Sequence, residues 1–358
     1  MNRLAASHRV FFIEEPVLDY SGSRSHFKVC HDPLAGVHVI TPHLPPGPEE
    51  EITEGQHEML KDILRNFNIE NYISWYYSPM ALAFSSDLDP IYTVYDCMDE
   101  LSAFLFAPPA LKKYEQILLE KADIVFTGGN SLFLAKRGLH RNIFSFPSSI
   151  DKDHFHSART SLADPADQRK IPFPRIGYYG VIDERLDISL LDQLSALRPD
   201  WQFILIGPVV KIDPASLPHR ENLHYLGMKE YAELPSYLSG WDIAMMPFAL
   251  NASTRFISPT KTPEYLAGGK PVISPSIDDV ISPYGELGLV QIADTAEEFV
   301  NSAEQILCHG PGAGWLNKVD NFLSGRSWER TVTDMETLIK KGIEETALPR
   351  MPQKKLYV

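Results

Sequence analysis

Residues 251–276 read NASTRFISPTKTPEYLAGGKPVISPS, and this stretch says most about the fold. Its polar, proline-containing start predicts a loop, and Pro263 occupies the favoured first turn of a short helix. Gly268 and Gly269 predict the end of that helix, because glycine accepts the backbone conformation found there. The apolar residues 271–274 then predict a buried strand. Loop, helix and strand in this order are typical of an α/β sheet with parallel strands.

The same stretch carries charges that suit an anionic ligand. Arg255 and Lys261 precede the helix, whose first backbone N–H groups carry partial positive charge and attract a diphosphate. Glu264 lies in the first helical turn, where its carboxylate could accept hydrogen bonds from ribose hydroxyls. Two plainer interpretations stay open: Glu264 only complements the helix dipole, and the basic side chains are only solvated.

Short apolar runs alternate with helix-like segments along the whole chain. We predict first-half strands at 9–13, 37–40, 72–75, 91–95, 123–127 and 143–146, and second-half strands at 175–180, 202–206, 223–225, 242–246, 271–274 and 289–292. We predict helices at 52–67, 110–121, 187–197, 229–239, 263–268 and 295–307. Nearly continuous apolar strands between helices indicate parallel sheets covered on both faces. The predicted fold class is therefore α/β, with two doubly wound, Rossmann-like domains facing a cleft.

The domain limits follow from a polar, proline-punctuated stretch between the halves. We place the first domain at 1–160, a linker at 161–174 and the second domain at 175–326. A helical pattern restarts near Ser327 and predicts, within 327–358, a C-terminal helix that crosses back to the first domain and a loose tail from 347. Ligands of such sheets bind beyond the carboxyl ends of the strands, so functional residues are expected there.

The net charge, the cysteine spacing and the length of the apolar runs each argue against a class of function or location. The 358 residues carry 33 Lys and Arg against 47 Asp and Glu, a formal charge of −14, which argues against nucleic acid as a partner. Cys30, Cys97 and Cys308 are widely spaced and predict neither a disulfide framework nor a zinc site. No apolar run approaches the roughly 20 residues that cross a bilayer. We therefore expect a cytoplasmic protein, and peripheral association with the inner face of the membrane stays open.

A second group of charges, Asp96, Asp99 and Glu100, follows the predicted strand at 91–95. The turn after that strand is expected to face the cleft. Carboxylates there could bind the hydroxyls of an acceptor or, in an inverting reaction, remove its proton. The alternative is that they cap the helix that follows.

Motifs of other ligand classes are missing from the sequence. The Asp-x-Asp pairs at 87–89 and 151–153 lie before a strand and in a loop near the linker, which is the wrong context for a metal site. The twelve histidines show no HExxH spacing. No GxGxxG follows the first strand, and no GxxxxGK[ST] is present, which disfavours a dinucleotide oxidoreductase. We predict neither a metal nor a cofactor.

Residues 264–273, Glu-Tyr-Leu-Ala-Gly-Gly-Lys-Pro-Val-Ile, resemble the donor-site motif of family 4 of the GT-B glycosyltransferases, a large family of bacterial retaining enzymes. The family motif begins with a further glutamate eight residues upstream, and Phe256 stands at that position here. That family position contacts the transferred sugar, so this chain departs from the family in how it would recognise the sugar. Lys261 would supply a compensating cationic contact.

The resemblance continues in the same order along most of the chain. The matching segments are Glu115, 122–131, 148–155, 177–185, 203–208 and 222–228. In the family, the segment that matches 177–185 is the opening strand and phosphate loop of the second domain, and Arg185 matches the cation that steadies the leaving diphosphate. The segment that matches 222–228 precedes the nucleobase-binding loop.

The residues and the resemblance together imply a sugar-nucleotide-dependent hexosyltransferase. Its donor would be a UDP-hexose and its acceptor a glycan or a lipid-linked glycan of polysaccharide biosynthesis, with retention of configuration and no metal. Donor binding is assigned to Gly180, Arg185, Gly207, Met228, Arg255, Lys261, Thr262 and Glu264. Catalytic roles are assigned to Asp96, Asp99, Arg185 and Lys261, and acceptor binding to Asp96, Asp99 and Glu100. Two alternatives stay open: a UDP-sugar 2-epimerase of the same fold, and a non-catalytic sugar-nucleotide-binding partner protein.

Overall fold

The structure is a computed structural model that describes residues 1–21, 24–32, 35–160 and 162–347. The strands are β1 (Val10–Ile13), β2 (Val17–Leu18), β3 (His26–Asp32), β4 (Val37–Leu44), β5 (Ile73–Tyr76), β6 (Tyr92–Cys97), β7 (Ile124–Thr127), β8 (Ile143–Ser145), β9 (Arg175–Tyr179), β10 (Gln202–Ile206), β11 (Leu223–Tyr225), β12 (Ile243–Met245), β13 (Val272–Ser274) and β14 (Val290–Ile292). The helices are α1 (Glu49–Asn66), α2 (Leu82–Ser85), α3 (Leu111–Lys121), α4 (Asn130–Lys136), α5 (Lys152–His156), α6 (Ile188–Leu197), α7 (Leu234–Ser239), α8 (Lys261–Ala267), α9 (Asp278–Val280), α10 (Ala296–His309), α11 (Trp315–Leu323) and α12 (Trp328–Ala347). Within the described ranges, no helix combines the length and the apolar character needed to cross a membrane.

Strands β9 to β14 form one parallel sheet in the order β11-β10-β9-β12-β13-β14. The strand order reverses at β9, which is the switch point of a doubly wound sheet, and ligands of such sheets bind in the crevice beyond that point. The core on both faces is apolar, and Tyr178, Phe203 and Leu205 are almost fully buried in it. The prediction of a doubly wound second half is confirmed.

The first half contains two sheets. Strands β5 to β8 pair in parallel in the order β5-β6-β7-β8, as their apolar runs predict. In the other sheet, β1 and β2 pair with β4 in parallel, and β3 pairs with β4 in antiparallel. No apolar run marks β2 or β3 in the sequence, because β3 (HFKVCHD) is an edge strand whose side chains are mostly exposed.

Helix α12 packs against the first-half sheet although it follows the second half in the chain. Met335 and Ile339 lie in one buried cluster with Val94 and Phe126. The chain therefore passes between the halves twice, once after β8 and once before α12. The predicted loose tail lies outside the described residues from 348 onward.

Residues 162–174, most of the predicted linker, lie against the second half. Asp164 Oδ2 lies 2.7 Å from Arg175 Nη1. Trp241 Nε1 donates a hydrogen bond to Gln168 Oε1 at 2.8 Å, and Gln168 is fully buried. This polar stretch therefore has buried partners that its composition does not reveal.

A loop of the second half meets the first half at the start of α4. Asp279 Oδ1 accepts a hydrogen bond from Ser131 N at 2.8 Å, and α4 has no side-chain cap of its own. A Cβ on Gly129 would overlap Asp279 Oδ2, so only glycine leaves room for this carboxylate. Phe256, from the loop before α8, packs against the first-half core. These contacts join the two halves.

We predict that Asp279→Ala lowers the free energy of unfolding by about 1–3 kcal/mol, because Ser131 N then loses its acceptor in a buried site. Asp279→Asn keeps an acceptor oxygen and should lose less. Asp278→Ala is the matched control, since Asp278 is the exposed neighbour. Urea unfolding measures the difference, and equal losses for Asp279→Ala and Asp278→Ala would contradict the assigned contact.

Candidate functional site

Gly180 and Gly207 follow the carboxyl ends of β9 and β10, and their backbones touch. Both have positive φ values, +145° and +143°, which residues with a side chain rarely adopt. A Cβ on Gly207 would overlap the carbonyl oxygen of Gly180. The two glycines therefore contribute no side chains of their own at this end of the sheet, and they leave room there for other groups.

Lys261 extends from the start of α8 into the space that a side chain on Gly180 would occupy. A Cβ on Gly180 would overlap Lys261 Cε and would lie 2.8 Å from Nζ. The ammonium lies 5.7 Å from the ring centroid of Tyr178 and 5.9 Å from that of Phe248. Burial lowers the pKa of Lys261, against the opposing effect of Glu264. No described residue forms a hydrogen bond with this ammonium, so the site is suited to an anion.

Glu264 lies one turn further along α8. Tyr179 OH donates a hydrogen bond to its Oε2 at 2.9 Å. Burial raises the pKa of Glu264 to about 7, against the opposing effects of Tyr179 and Lys261. Tyr179 is held in turn, because its backbone N–H donates to Tyr265 OH at 3.0 Å, and Tyr265 is fully buried. Tyrosine thus fixes one oxygen of Glu264, and no described residue donates to the other.

Arg185 is held by Asp183, two residues before it. Its Nε donates to Asp183 Oδ1 at 2.9 Å and its Nη2 to Oδ2 at 2.7 Å. This hydrogen bonding raises the pKa of Arg185, and Asp183 is itself almost fully buried. The guanidinium also lies 5.6 Å from the ring centroid of Phe104, which belongs to the first half. Arg185 is therefore a fixed cation beside the cleft.

Asp96 and Asp99 lie at the end of β6 and in the turn after it. Trp75 Nε1 donates to Asp96 Oδ2 at 3.2 Å. Burial raises the pKa of Asp96 to about 6, against the opposing effect of Trp75. Burial also raises the pKa of Asp99 to about 6, and here the opposing charge is that of Arg185. Asp99 and Arg185 therefore interact across the cleft between the halves.

Glu100 belongs to a different group of charges within the first half. Its Oε2 lies 2.8 Å from Lys136 Nζ, and its Oε1 accepts a hydrogen bond from Ser102 at 2.6 Å. Burial alone would raise the pKa of Glu100, but the hydrogen bonds from Lys136 and Ser102 outweigh burial and lower it. Lys136 also lies 2.8 Å from Glu115. The structure does not bring Glu100 to the lysine of α8.

The remaining predicted donor residues take three positions. Thr262 is fully buried, and its Oγ1 lies 3.3 Å from Met246 Sδ. Arg255 is exposed, and Met228 is 70% exposed beyond the end of β11. The side chains and glycines that the structure brings together are Gly180, Gly207, Asp99, Arg185, Lys261 and Glu264.

Sequence reasoning missed two residues of this group. Tyr179 ends an apolar strand and is typical of core, so hydropathy gives no signal for the hydrogen bond from its hydroxyl. Asp183 had a usable signal, because an aspartate two residues before an arginine in a turn can pair with it. Among the described residues, no group of His, Cys, Asp and Glu lies together as a metal site would require.

We predict that Gly180→Ala lowers the free energy of unfolding by about 3 kcal/mol, because it adds backbone strain to an overlap with Lys261. Gly227→Ala is the matched control: its φ is +69°, but a Cβ there would meet nothing within 4 Å. That control should lose only about 1 kcal/mol. Urea unfolding of both variants separates the cost of backbone strain, which both share, from the cost of the overlap with Lys261, which only Gly180→Ala has. Equal losses of unfolding free energy would show that Lys261 does not need the space at Gly180.

We compared the sequence and the fold of the chain with those of known proteins. No family model matches the chain. TuaH of Bacillus subtilis (strain 168), a protein assigned as a teichuronic acid biosynthesis glycosyltransferase, is 25% identical over 241 residues, which are 61% of this chain. The match spans 59% of that relative, so less than two thirds of its length is represented.

Solved structures resemble nearly the whole chain. Sucrose-phosphate synthase from Thermosynechococcus elongatus has a TM-score of 0.67 at 16% identity, over 96% of this chain and 91% of that one. The UDP-forming α,α-trehalose-phosphate synthase from Burkholderia xenovorans, in complex with glucose 6-phosphate, has a TM-score of 0.65 at 10% identity, over 94% of each chain. HepE of Anabaena, in complex with UDP and glucose, has a TM-score of 0.61 at 15% identity, over 85% of this chain and 86% of that one. The chain therefore has the GT-B fold, in which two Rossmann-like domains face a cleft.

Proposed function

We propose that this protein is a glycosyltransferase that transfers a hexose from a UDP-hexose to a glycan or lipid-linked acceptor. The observation that carries the proposal is the buried ammonium of Lys261, which has no hydrogen bond to a described residue and lies beside Glu264 at the switch point of the second sheet. A nucleotide diphosphate supplies both groups that this pair suits: phosphate oxygens for the cation and ribose hydroxyls for the carboxylate. Support comes from the assigned activity of TuaH and from the UDP and glucose bound to HepE.

The chemical task of such a transfer is to stabilise the charge that develops on the leaving diphosphate. Lys261 and Arg185 would offset that charge in a cleft where little water screens it. Because Asp183 fixes Arg185, this cation would need little reorganisation during the reaction. We propose that these two cations make a metal unnecessary.

The acceptor would enter from the first half. Asp99, opposite Arg185, would accept a hydrogen bond from an acceptor hydroxyl, and Asp96 would help to orient it. With retention of configuration, the acceptor oxygen forms its bond to the anomeric carbon on the face from which the diphosphate leaves. The hydroxyl proton then passes to a phosphate oxygen of the leaving group, so Asp96 is not required as a base.

A second candidate function is a non-catalytic sugar-nucleotide-binding partner protein. It is favoured by Phe256, which packs against the first-half core at the position where the resembling family has a sugar-contacting glutamate. Donor binding without turnover over a broad panel of acceptors would support this candidate and contradict transfer.

We predict that Lys261→Ala and Arg185→Ala each weaken UDP binding about tenfold or more, because each removes a charge-assisted hydrogen bond to phosphate. Uridine binding should change little, since uridine lacks the groups that these cations would hold. Arg220→Ala is the control, because Arg220 is exposed and precedes β11 at the opposite end of the sheet. Calorimetric titration in EDTA tests the site and the metal independence together. UDP affinity that is unchanged in both variants, or that is lost in EDTA, would overturn the proposal.

We predict that uridine binds less tightly as the pH falls through about 7, because Glu264 must be ionised to accept hydrogen bonds from ribose. Tyr179→Phe removes a hydrogen bond that favours the carboxylate, so the pKa of Glu264 should rise by about 1–2 units and binding should weaken at a higher pH. The other groups that face Glu264 are Lys261, Tyr231 and Tyr265.

Tyr265→Phe is the matched control for this pH dependence. The Tyr265 hydroxyl accepts a hydrogen bond from the backbone N–H of Tyr179 and makes no hydrogen bond to the carboxylate of Glu264. The Tyr265→Phe variant should therefore be less stable, but the pH midpoint of its uridine binding should not move. Calorimetric titration with uridine between pH 6 and pH 9 gives, for the parent protein and for each of the two variants, the pH at which half of the pH-dependent affinity is lost. Parent and Tyr179→Phe proteins with the same midpoint would show that Tyr179 does not control this carboxylate.

A further inference from the structure

A cavity of about 470 Å³ lies between the two passages of the chain from one half to the other. One wall is the segment 146–149, which leaves β8 for the second half. The other wall is the segment 321–334, which runs from α11 into α12 and returns to the first half. Arg185, Lys261 and Glu264 do not line this cavity, so it is separate from the proposed donor site.

The walls of the cavity carry more positive than negative charge. Arg326 and Arg330 line it, and Asp334 is the one acidic side chain among its lining residues. Arg330 Nε lies 3.8 Å from Asp334 Oδ2, whereas Arg326 lies over the ring of Phe322 at 4.3 Å and has no ion pair with a described carboxylate. The cavity is thus net positive although the formal charge of the chain is −14, and it would attract small anions.

Neutral hydrogen-bond donors lie beside these cations. Ser149 lines the cavity and is only 5% exposed, and its hydroxyl has no hydrogen-bond partner among the described residues. Ser327, which precedes α12, also lines it, and its Oγ accepts a hydrogen bond from Arg330 N at 3.2 Å. The start of this long helix therefore lies at the cavity and adds partial positive charge there. The Ser149 hydroxyl, the guanidinium groups of Arg326 and Arg330 and the helix start suit the tetrahedral oxygens of a phosphoryl group. Arg330 Nη1 also donates to the carbonyl oxygen of Gly325 at 3.4 Å, so Arg326 is the less engaged of the two arginines.

We propose that this cavity binds a small phosphoryl-bearing anion, either inorganic phosphate or a phosphomonoester. Because both passages of the chain line the cavity, the bound anion contacts the segments whose relative position changes when the halves move. Binding there is therefore coupled to the arrangement of the halves, and any ligand of the cleft that changes this arrangement changes anion affinity by the same factor in return.

The test is calorimetric titration of the whole chain with inorganic phosphate and, separately, with glucose 6-phosphate, at constant ionic strength set with chloride. We expect binding below about 10 mM, weakened at least tenfold in the Arg326→Ala/Arg330→Ala double variant and severalfold in Ser149→Ala. Lys340→Ala/Lys341→Ala is the matched control, because it removes two exposed charges from the same helix. Lys261→Ala should leave this binding unchanged, which keeps the result independent of the proposed donor site.

Each result has one interpretation. Tighter binding of glucose 6-phosphate than of inorganic phosphate identifies a phosphomonoester as the ligand, and the reverse identifies free phosphate. No binding of either anion up to about 10 mM overturns the proposal, as does equal weakening in the arginine variant and the lysine control. Binding that is lost in Lys261→Ala but kept in the arginine variant assigns the phosphate to the cleft and also overturns the proposal.

Discussion

The close approach of Lys261 to Gly180 is the constraint on which the rest of the site depends. A side chain at Gly180 would occupy the volume of the lysine, and a side chain at Gly207 would overlap the backbone of Gly180. The lysine therefore reaches the end of the sheet only because both positions are glycine. Its position places a cation at the switch point, in the crevice where a doubly wound sheet binds its ligand.

Burial then gives the charged groups around that cation their chemical character. It lowers the pKa of Lys261 and raises those of Glu264 and Asp99, since a low-dielectric environment disfavours every charged form. Arg185 differs, because hydrogen bonds to Asp183 stabilise its charge. One cation is thus neutralised by a protein carboxylate, whereas the other has no such bond and would gain most from an anionic ligand. Because of that difference, a substitution of Lys261 tests for a bound anion more directly than a substitution of Arg185.

The sequence predicts the second half better than the first, for physical reasons. The strand at Gln202–Ile206 is buried on both faces, so its apolar run marks it without further information, and the prediction at 202–206 is confirmed. The edge strand His26–Asp32 has no such run. At the site, the sequence alone predicts which charged residues follow the ends of strands. Which charge pairs with which depends on tertiary packing, and so neither the Glu100–Lys136 pair nor the Tyr179–Glu264 hydrogen bond could be derived from spacing.

The contacts between the halves come from the same loops that carry the site. Glu184, next to Arg185, accepts a hydrogen bond from Leu105 N of the first half at 3.2 Å. Phe256 reaches the first-half core from the loop that leads into Lys261. A displacement of either loop by a ligand must therefore strain a contact between the halves, and a separation of the halves must pull on the residues beside the two cations. Ligand binding and the arrangement of the halves are coupled through these short segments, with no longer path through the protein required.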